Sequence, residues 1–469
     1  MISMNNSILQ LALKLATKID KYAQDGSITD LDQMAGAIFE DCKTFALSAL
    51  RELTDFLNVS IRSDKSARKR DGLVLKERDR ERTVLLKLGS FTYVRDYYQD
   101  KQSGRYRYVL DEILRVEKYE RVSDSVSADL VTKAASFSYA KSSDLVTGGA
   151  VSRQTVKRKI DEVALLEVKA PEEKKEVAEL HVYADEDHVH LQKEGKQKGK
   201  KNLNLPLVTV TEGRVEESKG RNRNVNPVHF VDEGMDTDRL WMSTDGYIQK
   251  AYDLEKLKRI IVHGDGAPWI RKGLKDYPTV VYVLDEYHFA KQTKQIARLF
   301  PNKNVRVRIY AAVSEGDRKR TDQILQSLLE EAEDGKTKNR VNQYGTYILN
   351  HFDAIRERLT GGYPGSCTEG LISHVLSERM SRDPLGWSER IAGKLAKLRA
   401  FVLNGGVIDA AAFKEEAEEC YSAYSERMIE EIRNHRYDWS MYEHERTLFD
   451  GNSGTQRAIR ALGRVERIS

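Results

Sequence analysis

The sequence predicts a mixed α+β and α/β chain, in which helices and a β-hairpin precede a larger sheet domain with a helical insertion. Three observations carry this. Apolar residues recur at steps of three and four through the first 60 positions and again after residue 127. β-Branched and aromatic runs fill 84–110 and 181–231. Two later apolar runs, RIIVHGDG and VVYVLDEYH, each end in acidic residues and lead into helical patterns. At 469 residues the chain exceeds a single core of about 100–200 residues, so more than one domain is expected.

Composition narrows the class. Forty per cent hydrophobic residues suffice for a packed core, and 32% charged residues suit a water-facing surface. The net charge, 77 − 73 = +4, is nearly neutral, so only local basic clusters argue for nucleic acid. Cys42, Cys367 and Cys420 are odd in number and scattered, with no CxxC pair, which fits a reducing cytosol without a thiolate zinc site. The start MISMNNSILQLALKL lacks the layout of a signal peptide, and no apolar run approaches the ~18 residues of a membrane span. A cytoplasmic chain with no membrane partner is expected.

Along the chain, Leu31, Met34, Ile38, Cys42, Phe45, Ala49, Leu53 and Phe56 line one face of a long helix capped by Thr29 or Asp30. The stripe reads as core or as a dimer seam, with Cys42 as inert packing. Residues 62–82 are dense in Arg and Lys and read as a solvated basic arm or linker. In 84–110, tyrosines alternate with basic residues around a Ser103-Gly104 turn: a hairpin on which Tyr93, Arg95, Tyr97, Arg105 and Arg107 form a basic aromatic surface for DNA, or an ordinary half-buried hairpin. A helix near 137–146, the break Gly148-Gly149 and the Ser152-capped SRQTVKRKIDEV have the layout of a helix-turn-helix. Arg153, Gln154, Lys157 and Arg158 then face the DNA groove, with Val156 and Ile160 inward.

After a polar linker at 164–180 come three β segments, a helix near 236–252, and two strand–helix units. Three antiparallel strands followed by alternating strand and helix is the order of an RNase H-like fold. Residues 303–360 read as a helical insertion, 369–381 as a helix, 388–450 as helical and charged, and 452–469 as a basic tail with Arg457, Arg460, Arg464 and Arg467. The expected division is 1–60, 61–126, 127–163, the linker 164–180, a catalytic domain at 181–387, and 388–469.

Cutting a phosphodiester with two metal ions requires carboxylates gathered from distant points of the chain, and strands ending side by side provide such a place. Asp185 lies on a strand face with Asp187, an arrangement that repels itself unless a cation neutralises it. Asp265 sits between two glycines at a strand end. Glu369 fits a capping box with Ser366, the preferred reading of the local pattern alone, and a metal ligand on a helix would look the same in sequence. Asp285 and His288 form D-x-x-H at the next strand end, a surface turn or a hydrogen-bonded prop. His181, His188 and His190 lack a fourth ligand for zinc.

Taken together, HVYADEDHVHLQ, VHGDGAPWI, LDEYHFAKQ, GSCTEGLISHVLSERMS and LGWSE resemble the ISLre-two family of bacterial insertion-sequence transposases, long known as an uncharacterised protein family. SGRYRYVLDEIL and VSRQTVKRKI resemble it too, and the likeness spans about residues 80–405. Related mutator-type transposases carry an acidic triad with D-x-x-H after the second Asp. The resemblance implies a DDE triad of Asp185, Asp265 and Glu369, with Asp187 and Glu378 as alternative ligands and Asp285 and His288 in support. It implies two Mg²⁺ ions, for which Mn²⁺ substitutes. The implied partners are DNA, as the element's inverted-repeat ends and the target, and at least one further copy of the chain. The implied place is the bacterial cytoplasm, at the nucleoid. Two alternatives stay open: a domesticated DNA-binding protein without catalysis, and an RNase H-like nuclease that cuts without joining.

Overall fold

The computed structural model describes residues 4–24, 30–164, 167–192, 202–219, 221–363, 365–382, 386–413, 427 and 430. The readings of Cys420, of 414–450 apart from those two positions, and of the basic tail lie outside them. The chain divides into two units, Met1–Ser127 with Lys414–Ser469, and Ala128–Phe413. Among the described residues no helix is long and apolar enough to cross a membrane.

The first unit opens with α1 (Met4–Gln24) and α2 (Leu31–Ser63). Asp30 caps α2 by accepting from the backbone N–H groups of Asp32 and Gln33. The expected stripe is not the buried face. Leu31, Leu53 and Phe56 are exposed, and so is Cys42, which corrects its reading as packing. Leu57 and Ile61 are buried instead, with Leu47 and Leu50 partly so, against Leu73, Phe91 and Tyr98. A 33-residue helix with two apolar stripes satisfies the same periodicity on either face, and only its neighbours select one.

Next come α3 (Lys65–Arg70), β1 (Leu73–Leu86), β2 (Gly89–Asp100), β3 (Tyr106–Arg107) and α4 (Val109–Leu114). The basic segment 62–82 is therefore the end of α2, a short helix and most of a strand, not a free arm. The main hairpin turns at Lys87-Leu88, with Leu86 opposite Gly89, and the Ser103-Gly104 turn joins only the two-residue β3. Charged side chains on an exposed strand carry no hydrophobic alternation, so β1 is hidden from pattern reading. α5 (Asp124–Ala134) falls at the division of the units.

The second unit begins with α6 (Tyr139–Thr147) and α7 (Arg153–Glu162). Ser138 and Ser152 cap them, and Gly148, at φ 60°, closes α6 in the left-handed conformation that glycine adopts freely. Val156 and Ile160 are fully buried. The segment expected as a linker is held at two described points: Ala164 N–H donates to Ala412 (2.7 Å) and Lys175 N–H to Ala251 (2.8 Å).

There follow β4 (Glu179–His190), β5 (Asn202–Thr211), the small hairpin β6 (Arg214–Ser218) and β7 (Arg221–Asn224), β8 (Val228–Phe230), α8 (Thr237–Ala251), β9 (Arg259–Gly264), α9 (Pro268–Lys272) and β10 (Val280–Leu284). The five-stranded sheet has the order β10-β9-β4-β5-β8. β5 runs antiparallel to both of its neighbours, β4 and β8, whereas β4, β9 and β10 run parallel. The fold is thus mixed α+β with a mixed sheet. Leu180, Val182, Ala184, Ile260 and Val262 alternate onto one face and pack with Leu240, Trp241 and Ile248 of α8.

The helices α10 (Glu286–Leu299), α11 (Val305–Ser314), α12 (Arg318–Glu331), α13 (Gly335–Asn350) and α14 (Phe352–Thr360) form their own core around Phe289, Ile309, Leu328, Val341 and Ile348. α15 (Thr368–Ile372) runs through a π turn at Ser373–Ser377 into α16 (Glu378–Met380), and α17 (Glu389–Leu403) packs against α7 and β8.

Candidate active site

Register places three aspartates in a row. β4 pairs with β9 so that Tyr183 faces His263, and β9 pairs with β10 so that Gly264 faces Leu284. Continued to the strand ends, these registers bring Asp185, Asp265 and Asp285 level on three adjacent parallel strands, spaced by about 4.8 Å per strand. All three are odd positions, on the sheet face opposite the α8 core. Carboxyl ends of parallel strands are where ligands bind in such sheets.

Asp185 records the consequence. Its carboxyl is pushed up to about 7, first by burial and then by the charges of Asp265, Glu369 and Asp285. One backbone N–H, that of Glu186 at 2.8 Å, works the other way. Carboxylates from three other points of the chain therefore act on Asp185 here.

The two glycines around Asp265 are required by contact. A Cβ on Gly264 would lie 3.0 Å from the Ala184 carbonyl oxygen and 2.8 Å from Ile270. Gly266 has φ +90°, and a Cβ there would meet the His351 ring at 2.3 Å. The Asp265 carboxylate accepts from Ala267 N–H (2.8 Å), and its backbone carbonyl accepts from Tyr347 Oη (2.6 Å).

Glu369 stands in the first turn of α15, exposed. The capping box is not formed: Cys367 occupies the cap without a side-chain bond. Ser366 instead accepts from Thr368 N–H (3.3 Å) and donates to Asp285 Oδ2 (2.9 Å). Asp285 is 3% exposed, and its other oxygen accepts from Tyr287 N–H at 3.1 Å. Asp285 is thus tied to the loop that presents Glu369. The His288 N–H donates to the Asp285 backbone carbonyl (3.2 Å), and its ring Nδ1 is buried without a hydrogen bond.

The alternative ligands are engaged elsewhere. Asp187 accepts from Ser381 Oγ with both oxygens (3.1 and 2.9 Å). Glu378 pairs with Arg399 at 2.9 Å. The histidines do not gather: His181 bonds to His263 (3.0 Å), His188 to Asn204 (3.0 Å), and His190 is exposed.

Ser366, Tyr347 and His351 were not legible as site residues. Tyr347 is raised by burial and by the charges of Asp265 and Asp285, and His351 is pushed down to about 4 by burial and Arg271. Tyr347 lies near the end of α13 and His351 between α13 and α14, both more than 80 positions past Asp265, where no local pattern marks them.

A group of hard oxygen donors, three of whose charges act on the buried Asp185 carboxyl, has the chemistry that suits Mg²⁺ or Mn²⁺. As placed, no group of three or more His, Cys, Asp or Glu among the described residues is arranged to hold a metal ion.

The nucleic-acid candidates divide. On α7, Arg153, Gln154 and Arg158 are exposed and Lys157 half-buried, with Arg158 also paired to Glu162 (3.2 Å). On the hairpin of the first unit, Arg95 is ion-paired with Asp111 and Arg107 with Glu112 (2.7 Å), Tyr93 is buried on Asp111 (2.5 Å), and Arg105 is exposed. Arg95 and Arg107 thus serve the hairpin's own structure.

A profile of the uncharacterised protein family UPF0236 matches residues 27–417. Similar chains include UPF0236 proteins of Caldanaerobacter subterraneus subsp. tengcongensis, 34% identical over 403 residues, covering 85% of this chain and 84% of the relative. One such name spans eleven loci of that genome and another four, so these proteins occur in many copies there. A UPF0236 protein in the vanSb 3′ region of Streptococcus gallolyticus is 25% identical over 314 residues, or 63% of this chain and 67% of that one. Among solved structures, the Drosophila P element transposase strand transfer complex aligns with 10% identity over 70% of this chain and 96% of that one, at a TM-score of 0.22, below the range of a shared fold.

Proposed function

As the chain belongs to the uncharacterised protein family UPF0236, which one genome carries in many copies, we propose that it is a DNA transposase of the DDE type. What supports the reading is the Asp185 carboxyl, raised by burial and by the charges of Asp265, Glu369 and Asp285. The sheet supports an RNase H-like reading of the catalytic core: three antiparallel strands in sequence, then a helix, then two parallel strands added beyond the first.

In this proposal Asp185, Asp265 and Glu369 would hold two Mg²⁺ ions, which would activate the attacking oxygen and stabilise the leaving one. The protein's own part is placement. Gly264 and Gly266 let backbone and substrate approach Asp265 closely, and the Ser366–Asp285 bond sets the start of the Glu369 helix. At an element end, water adds to phosphorus, the 3′ oxygen leaves and takes a proton; that 3′ hydroxyl then attacks a target phosphorus, the target's own 3′ oxygen leaves, and the proton lost by the attacking hydroxyl is balanced by the one the leaving oxygen takes up. α7 reads the element ends through Arg153, Gln154, Lys157 and Arg158. The transposase acts as at least a dimer on DNA, with the exposed Leu31–Phe56 stripe of α2 as the contact. Sizing a Leu31→Asp variant on paired end DNA tests this, and unchanged pairing moves the contact elsewhere.

The test of the function uses the full chain, Mg²⁺ and a plasmid carrying the gene with its flanking DNA. Asp185→Asn, Asp265→Asn and Glu369→Gln should each lower strand cleavage on the order of 100- to 1000-fold, with Asp187→Asn and Glu378→Gln far milder. Cleavage that survives in any of the first three variants sinks the triad. Cleavage without joined product in the parent protein leaves a nuclease.

A further inference from the structure

The first unit carries a column of rings and guanidinium groups that its own packing does not finish. Tyr97 alternates along β2 with the buried Asp96 and Tyr98, so its ring lies on the opposite face of the strand. There Tyr106 stacks on Tyr97, with centroids 5.1 Å apart and planes inclined by 14°. Tyr108 lies 4.7 Å from Tyr97, and the Arg95 guanidinium sits 3.6 Å over the Tyr108 ring. Arg80 flanks the column, 5.3 Å from the Tyr97 centroid, and donates to Tyr108 Oη at 2.8 Å. Arg95 closes the inner end. At the outer end Tyr106 is 54% exposed.

The charges beside the column decide what it fits. Along β1 the exposed residues alternate in sign: Lys76, Glu77, Arg78, Asp79, Arg80, Glu81. Such a strand is a poor track for the dense phosphates of a duplex. What the surface offers is a preassembled ring face, with Arg80 and Arg105 near it. A paired base keeps its faces inside the helix stack, whereas an unpaired base has a face to give.

We propose that Tyr106 is a stacking platform for an unpaired DNA base, with Tyr97, Tyr108 and Arg95 as the rigid column behind it. The proposal rests on the reading of this chain as a DNA-acting protein and adds a second mode, distinct from duplex reading by α7. Because the rings beneath Tyr106 are already stacked, a base gains its contact without ordering a loose side chain.

The experiment uses the full chain and a short oligothymidylate containing one 2-aminopurine, whose fluorescence falls when it stacks. The parent protein should bind the strand and quench it. Tyr106→Ala should bind about 10-fold more weakly, in line with the loss of one base–aromatic stack, and lose the quenching. Tyr106→Trp should keep both, and duplex carrying the gene's flanking ends should bind parent and Tyr106→Ala alike. Equal strand affinity and quenching in Tyr106→Ala overturn the platform. A parent protein that binds duplex ends but not the single strand overturns the platform alone, and one that binds neither overturns the DNA reading with it.

Discussion

Asp96 and Asp185 are both strand aspartates taken out of water, and they are treated in opposite ways. Asp96, in the first unit, is fully buried. Burial pushes its carboxyl up, yet Arg62, Asp79 N–H and Asn58 outweigh that and hold it below the usual carboxylate range. Its oxygens accept from Arg62 Nε (2.7 Å) and Nη2 (2.9 Å), Asp79 N–H (3.0 Å) and Tyr98 Oη (3.3 Å). Asp185, in the second unit, is only half-buried but is pushed up to about 7, with one N–H in its favour and three carboxylates against it. Depth does not separate the two; compensation does. A carboxylate with all its partners is part of the scaffold. One surrounded by its own kind is unfinished without a cation.

The comparison breaks most severely if Asp96 proves dispensable. Asp96→Ala removes the acceptor of a buried ion pair and leaves Arg62 and the Asp79 N–H at the β1 bulge without it. Loss of about 3 kcal/mol of stability is expected, read by urea unfolding. Asp79 holds φ 54°, a left-handed conformation that the bond to Asp96 helps to maintain, so the bulge should loosen too. The depressed carboxyl adds a pH dependence: its stabilisation is present above the ordinary Asp range and is lost as pH falls through its lower folded value. A variant as stable as the parent would mean that the network is decoration.

Asp185→Asn should do the reverse. The folded carboxyl titrates near 7 against an ordinary 3.8, so between about 4 and 7 the folded chain holds a proton that the unfolded chain has lost. That group's contribution is complete at low pH and disappears as pH rises through 7. The metal-free variant should therefore be more stable than the parent at pH 8, by about 1–2 kcal/mol, with the difference shrinking as pH falls below 7 and vanishing below about pH 4. Mg²⁺ should raise the melting temperature of the parent and not of the variant. A destabilised variant at pH 8 would place Asp185 with Asp96, among the scaffold acids.

The acid row was legible because each of its strands is a short apolar run that ends in an acid, and because β4, β9 and β10 alternate strictly enough to put Asp185, Asp265 and Asp285 on one face. Gly264 and Gly266 were legible as close approaches for the same local reason. The helix-turn-helix layout showed through its serine caps and Gly148. What failed to show depends on distant partners. The buried face of α2 is chosen by Phe91 and Tyr98, not by its own period. β1 is written in charges because it is exposed, and the strand Arg95 and Arg107 look like DNA contacts until Asp111 and Glu112 are placed beside them. Ser366 looked like half of a capping box, since sequence shows the spacing of Ser366 and Glu369 but not that Asp285 lies within reach of the serine.

That serine yields the smallest and sharpest contrast. Asp285 lies between the two extremes: level with Asp185 and among the charges that act on it, yet as buried as a scaffold acid and satisfied by Tyr287 N–H and Ser366 Oγ. If the Ser366 bond only fills a buried acceptor, Ser366→Ala costs about 1 kcal/mol of stability and nothing more. If it also sets where α15 begins, the exposed Glu369 loses its aim, and the apparent affinity for Mg²⁺ in strand cleavage falls about 10-fold. Excess metal should then restore most of the rate, because Glu369 itself is intact, and Ser366→Thr should retain the parent's metal dependence. A variant that loses stability but keeps the parent's Mg²⁺ curve would return Asp285 wholly to the scaffold and leave Glu369 to be positioned by the π turn at Ser373–Ser377 alone.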